Sequence, residues 1–218
     1  ELDKDLGDDR GPQCYMPVVL LDMNPIHHRQ SLQEQIFPNP RAINEDLLEL
    51  GHPKVLLEAP AGMGKTTFLK VYQEARLKRN DAEEYPLTVL LDLGLLPKGS
   101  GFNEFYPLFF SHVTEMVLRE KEEQPDLEIR EEVLKETLKR LVLTGQVMFL
   151  LDGLDRLMAD DRFQFFYDVV VDGDVLRDNF VLLSMRPVGF GPMATQSIVK
   201  RGQGACFRMT FQKLHDKT

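Results

Sequence analysis

Five short stretches of the chain are apolar almost from end to end. They are "KVLLE" at 54–58, "LTVLLDL" at 87–93, "QVMFLL" at 146–151, "FVLLS" at 180–184 and "ACFRMTF" at 205–211. A strand that faces water on one side alternates apolar and polar residues, whereas these runs do not, so each reads as a strand covered on both faces. The segments between them carry helical spacing. Residues 66–79 place Phe68, Val71, Tyr72 and Ala75 on one face. Residues 103–123 read as a helix interrupted early by Pro107, and residues 127–144 point Leu127, Leu134, Leu138 and Leu141 inward. Gly145 is placed to end that helix. Residues 160–171 turn Phe163, Phe166, Tyr167 and Val170 toward the core, and the pairs Phe109-Phe110 and Phe165-Phe166 read as core residues. Buried strands alternating with amphipathic helices predict an α/β fold with a parallel sheet.

The pattern is weaker at the two ends. Residues 1–12 are acidic and poor in apolar groups, a loose lead-in. "MPVVLLD" at 16–22 is a short β-like run, and "AINEDLLEL" at 42–50 predicts a short helix ending at Gly51. The glycine-rich stretch 189–204 reads as a loop with a short helix. No internal repeat or low-complexity tract is visible, and the charge-rich segment 120–136 alternates in sign, as a solvated helix surface does.

Composition narrows the classes. The chain has 218 residues and a formal net charge of −9, which counts against a nucleic-acid partner because phosphate backbones call for basic surfaces. Cys14 and Cys206 are the only cysteines, so neither a zinc cluster nor a disulfide scaffold is indicated and a reducing, cytoplasmic setting is expected. No apolar run approaches the roughly 20 residues of a membrane span. The sequence begins at Glu1 rather than Met, and a piece of a longer protein is the expectation. His27-His28 has no supporting metal-ligand spacing and reads as a surface pair.

Candidate chemistry begins behind the first buried strand, in "EAPAGMGKTTFLK" at 58–70. A phosphate chain needs several N–H donors converging on it and a cation to offset its charge. Glycines let the backbone curl enough to aim those donors, and a following helix adds its positive N-terminal end. Ala59, Pro60, Ala61, Gly62, Met63 and Gly64 would form the cradle. Lys65 would reach the β- and γ-phosphates, Thr66 would ligate Mg²⁺, and Thr67 would sit near the α-phosphate. The usual pattern starts with Gly where Ala59 stands, a departure that is small if φ stays negative there. Gly-x-Gly-Lys-Ser/Thr arises by chance in roughly 1% of chains this long, and the strand and helix context lowers that further.

The second constellation is "FLLDGLDRL" at 149–157. Acids at the end of a buried strand are costly unless something cationic meets them. Asp152 is placed to hold Mg²⁺, with Gly153 leaving room for phosphates and a water. Asp155, about a turn further, would orient or deprotonate the attacking water. The third element is Arg186 in "FVLLSMRP" at 180–187, which would sense a γ-phosphate before Pro187 ends the ladder. Capping acids and a surface ion pair are the plainer alternatives for Asp155 and Arg186.

Taken together, "APAGMGKTT", "VMFLLDGLDRL" and "FVLLSMRP" resemble the NACHT family, part of the STAND class of signalling P-loop NTPases related to the AAA+ group. "DGLD" at 152–155 is the most specific piece, and the likeness covers about residues 45–212. The resemblance implies a three-layer P-loop NTPase with a five-stranded, mainly parallel sheet in the order 5-1-4-3-2. On this view residues 1–40 are a lead-in and residues 41–218 the NTPase core. The resemblance further implies an ATP/ADP switch that uses Mg²⁺, works with other domains of a parent protein and self-associates on activation. The base is ATP by resemblance only, and GTP stays open. His52 or Pro53 would line the base pocket by the same analogy. The family usually has Glu where this chain has Arg156. Its loss, and a pairing of Arg156 with Asp155 that lowers the acid's pKa, would make this a slow NTPase. An assembly scaffold with negligible hydrolysis and a small-molecule kinase are the alternatives. The Asn-Lys-x-Asp of translational GTPases and the Leu-Ser-Gly-Gly of ABC subunits are both absent.

Overall fold

A computed structural model describes residues 18–22, 35–37, 54–77, 85–99, 102–123, 130–171, 176–186 and 207–212. The strands are β1 (Val18–Asp22), β2 (Gln35–Phe37), β3 (Lys54–Glu58), β4 (Leu87–Asp92), β5 (Val147–Asp152), β6 (Phe180–Met185) and β7 (Phe207–Gln212). The helices are α1 (Lys65–Leu77), α2 (Phe105–Glu123), α3 (Glu131–Leu143) and α4 (Ala159–Phe166). All seven strands join one sheet in the order β2-β1-β7-β3-β6-β5-β4. Strands β3, β6, β5 and β4 run parallel, with Leu57 opposite Ser184 and Asp92 opposite Asp152. β7 pairs parallel to β3, while β1 pairs antiparallel to both β7 and β2. The sheet is thus wider than the five strands expected, because two strands from the first 40 residues extend its edge.

The continuous apolar runs are explained by the two layers they separate. Along β5, Val147, Phe149 and Leu151 face one cluster, built with Phe105 and Phe109 of α2, Leu138 and Val142 of α3 and Phe165 of α4. Met148 and Leu150 face the other, built with Phe68, Leu69 and Tyr72 of α1. Every residue of β5 and β6 is buried. Burying a side chain such as Phe149 or Leu150 contributes about 1.5–3 kcal/mol each.

Several helix expectations shift by a residue or two. Pro107 does not interrupt α2, because it lies in the first turn, where a missing N–H breaks no helical bond. Leu69 and Arg76 are buried on α1, while Val71 and Ala75 are half-buried. The long stem of Arg76 lets it lie in the interface. On α4 the inward residues are Phe165, Phe166 and, in the following π-helical turn Tyr167–Val171, Val169. Phe163 and Tyr167 are half-buried and pack on each other instead. Val170, also expected inward, has a side chain outside the described residues.

Gly145 ends α3 as expected. It has φ +70°, its N–H donates to Val142 O, and Gln146 N–H donates to Leu141 O, closing the helix's free carbonyls. A methyl group there would come within 2.6 Å of Asp178 Cβ. The expected helix at 42–50 and loop at 189–204, together with Leu127, His27-His28, His52, Pro53 and both cysteines, lie outside the described residues. Among the described residues, no helix is long and apolar enough to cross a membrane.

Candidate functional site

The loop between β3 and α1 continues the sheet for one more residue. Ala59 N–H donates to Met185 O at 3.1 Å, and Ala59 is buried in the cluster under α1. A methyl group in place of hydrogen therefore packs into the core. The backbone then turns, with Met63 N–H reaching Pro60 O, and Gly62 and Gly64 adopt φ +76° and +85°. Those angles favour glycine and let the chain double back into the helix. Phe68 N–H donates to Gly64 O, so the helical ladder begins at once. Pro60, Ala61, Thr66 and Thr67 are exposed, and Met63 packs partly against the α1 cluster.

Lys65, the first residue of α1, folds over its own loop. Its Nζ donates to Ala59 O at 2.6 Å and to Pro60 O at 2.9 Å. Partial burial holds its pKa below the ordinary lysine value. Asp155 and Asp152 push it back up, while Arg186 and Arg156 lower it further. The strand-end acids and arginines expected at this site are thus all close enough to act on one ammonium.

Asp152 ends β5 and is 4% exposed. Its Oδ2 accepts the Thr66 hydroxyl at 2.7 Å, and its Oδ1 accepts the Ser184 hydroxyl at 2.5 Å. Ser184 in turn accepts the Gly153 N–H at 3.0 Å. Ser184 therefore fixes the carboxylate's rotation and leaves Oδ2 turned toward the start of α1. A hydroxyl and a carboxylate oxygen at this separation form the hard-oxygen set that Mg²⁺ takes, which needs only one or two carboxylates beside water and phosphate oxygens. Among the described residues, no group of three or more His, Cys, Asp or Glu forms a metal cage.

The two residues that follow Leu154 diverge. Gly153 has φ +80° and starts the 3-10 turn Leu154–Arg156. Asp155 turns toward β6, where its Oδ2 lies 3.0 Å from Arg186 Nε and its Oδ1 accepts the Arg186 N–H at 3.0 Å. The Asp155 side chain is 8% exposed and that of Arg186 57%. Arg156 turns the other way, toward β4. It forms an ion pair with Asp92 and places its second terminal nitrogen 3.5 Å from Asp152 Oδ2. The expected Arg156–Asp155 pair is therefore not formed: consecutive positions of the 3-10 turn point about 120° apart, so the two side chains reach opposite neighbours. Gly153 also serves Arg156. A Cβ on it would meet Arg156 Nε at 2.8 Å, so its bareness accommodates the arginine stem.

The geometry adds residues that the motifs did not single out. Ser184 is the only polar residue inside "FVLLSM", and Asp92 closes "LTVLLD" as Asp152 closes "VMFLLD". Each is a visible signal once the strands are set side by side. Arg162 has no such signal, yet it donates to Asp155 O and Leu157 O and pins the turn that carries Asp155.

The fold is α/β: a mixed sheet, parallel from β7 through β4 and flanked by helices, with a strand–glycine loop–helix unit running from β3 to α1. No family model matches the chain. No curated protein matches it either. Among solved structures the chain is similar to C. elegans PCH-2, at 18% sequence identity and a TM-score of 0.36, over 78% of this chain. It spans 39% of that chain's length, and at this level the likeness carries no functional argument.

Proposed function

We propose that this chain is the nucleotide-binding core of a slow, switch-like P-loop NTPase, taking ATP with Mg²⁺ and acting within a larger cytoplasmic signalling protein. The observation that carries this reading is the 2.7 Å contact between Thr66 Oγ1 and Asp152 Oδ2. It joins the helix after the glycine loop to the tip of a strand 86 residues away in sequence. A helix N-terminus, a loop lysine and two hard oxygens converge there, which is what a triphosphate and its cation require.

Thr66 and Asp152 would hold Mg²⁺, which would supply positive charge to offset that of the phosphates. The loop N–H groups from Ala61 to Lys65 orient the phosphates, and Lys65 exchanges its two loop carbonyls for phosphate oxygens. Asp155 positions the attacking water through the oxygen now shared with Arg186. The guanidinium, once released, meets the terminal phosphate. The NACHT-type assignment, with its five-strand core order and its self-association, rests on the motifs "APAGMGKTT" and "DGLD".

A second reading, a scaffold that binds nucleotide and hardly hydrolyses it, is favoured by the Asp155–Arg186 pair, in which both catalytic candidates are tied to each other. A single-turnover assay separates the two. With protein in excess over labelled ATP and Mg²⁺, and Lys65→Ala as the blank, slow appearance of bound ADP supports the switch. Bound label persisting as ATP supports the scaffold. No retention above the blank removes both.

A further inference from the structure

Asp92 and Asp152 are direct neighbours across the β4–β5 ladder, so two carboxylates leave the sheet side by side. Like charges at such a spacing repel, and burying Asp152 at 4% exposure raises the penalty. Arg156 resolves this. One terminal nitrogen pairs with Asp92, and the other approaches the Asp152 oxygen that also faces Thr66. The arginine is held in that position from below as well as from its ends. Its stem crosses Gly153 and Gly94, where an added Cβ would lie 2.9 Å and 3.0 Å from Arg156 Cδ. Gly94 N–H in turn fixes Asp92 through Oδ1 at 2.8 Å.

We infer that Arg156 is a built-in competitor for the divalent cation: its guanidinium occupies the charge field of Asp152 Oδ2, and Asp92 is the counterweight that draws it aside when the cation enters. Arg156 is thus a positioning residue that sets cation affinity, and the inference rests on the reading that Asp152 holds a divalent cation beside bound nucleotide. The cation and the guanidinium use the same oxygen, so strengthening either weakens the other. Because the arginine side chain is 43% exposed, solvent screens its field, and removing its charge is expected to tighten cation binding about tenfold, or about 1.4 kcal/mol.

The test is Mn²⁺ binding to the 218-residue chain, read from the EPR signal of free Mn²⁺ with protein in excess over ADP. Arg156→Gln is expected to tighten Mn²⁺ about tenfold and Asp92→Asn to loosen it, while the double variant, which lacks the competitor on which Asp92 acts, should bind about as tightly as Arg156→Gln. Arg156→Lys keeps the charge and is expected to stay near wild type. Thermal melting checks that each variant folds. If Arg156→Gln does not fold, the comparison of Asp92→Asn with the double variant carries the test, with a gain of at least about tenfold expected. Binding that is lost in Asp152→Asn but unchanged in Arg156→Gln overturns the inference and leaves the proposed function standing. Binding indifferent to Asp152→Asn, or absent from every variant, overturns both.

Discussion

The parallel strands have two ends, and both are polar, but they are polar in different ways. At the starting end, Lys54 Nζ donates to Leu176 O and Asn179 O. The Asn179 side chain accepts from Val147 N–H at 3.1 Å and donates to Val142 O at 2.8 Å. The partners there are backbone groups. At the finishing end, Asp152, Asp155 and Asp92 are met by Thr66, Ser184, Arg156 and Arg186. The partners there are mostly side chains, several on long, partly exposed stems. Buried backbone partners of this kind cannot be exchanged without unfolding something, whereas the part-buried or exposed partners at the other end, the loop carbonyls of Lys65 among them, can be traded for a ligand. The starting end holds the fold together, and the finishing end is the one able to do chemistry.

The sharpest way to break this contrast is to damage the starting end and look for an effect at the other. Asn179→Ala leaves a buried N–H and a buried carbonyl without partners and is expected to cost about 3 kcal/mol of stability, read from a urea midpoint. Nucleotide retention per folded molecule should be unchanged. A large loss of retention in the folded fraction would show that the two ends are not separable. Asp152→Asn tests the converse. It keeps the shape and removes the charge, so Mg²⁺-dependent nucleotide retention should fall about a hundredfold, equivalent to about 2.7 kcal/mol, with little change in melting temperature.

A smaller effect sharpens the starting end. Gly145→Ala must place a methyl group against Asp178 in a left-handed backbone and should cost about 2 kcal/mol. On the finishing side, the proposed function has Asp155 act on the water rather than the cation, so Asp155→Asn should slow single-turnover hydrolysis about tenfold while leaving retention intact. The smallest effect is a matter of pH. Lys65 has a lowered pKa in the fold, so the unfolded chain binds more protons in the alkaline range and stability from this group rises as pH rises through the depressed value. Lys65→Met lacks that slope. The melting-temperature difference, wild type minus variant, should therefore grow more positive as pH rises toward the ordinary lysine value.

The elements that could be read from the sequence were those whose signal is local. Unbroken apolar runs gave β3 to β6 within a residue or two, and Gly62, Gly64 and Lys65 stand together in nine residues of chain. Gly145 announced a helix end that the φ of +70° bears out. What escaped depends on which strands become neighbours. The partner of Arg156 is Asp92, 64 residues earlier, and no spacing rule points there until β4 and β5 are paired. Asp155, its chain neighbour, does not pair with it, because adjacent positions of a 3-10 turn point in different directions. The role of Ser184 was hidden for the same reason, since a hydroxyl in an apolar run reveals nothing until the acid beside it is known.

The strand order also fixes when the parts can meet. β3 lies between β7 and β6, and both come later in the chain than β4 and β5. During synthesis β4 and β5 can pair as soon as Asp152 has emerged, while β3 still waits for Phe180–Met185 to wedge in beside it. The glycine loop is made early and anchored late, through the bond from Ala59 to Met185. A nascent chain halted before residue 180 would carry the whole of the loop sequence on a strand with no neighbour on its β6 side, an exposed edge of the kind that chaperones shield.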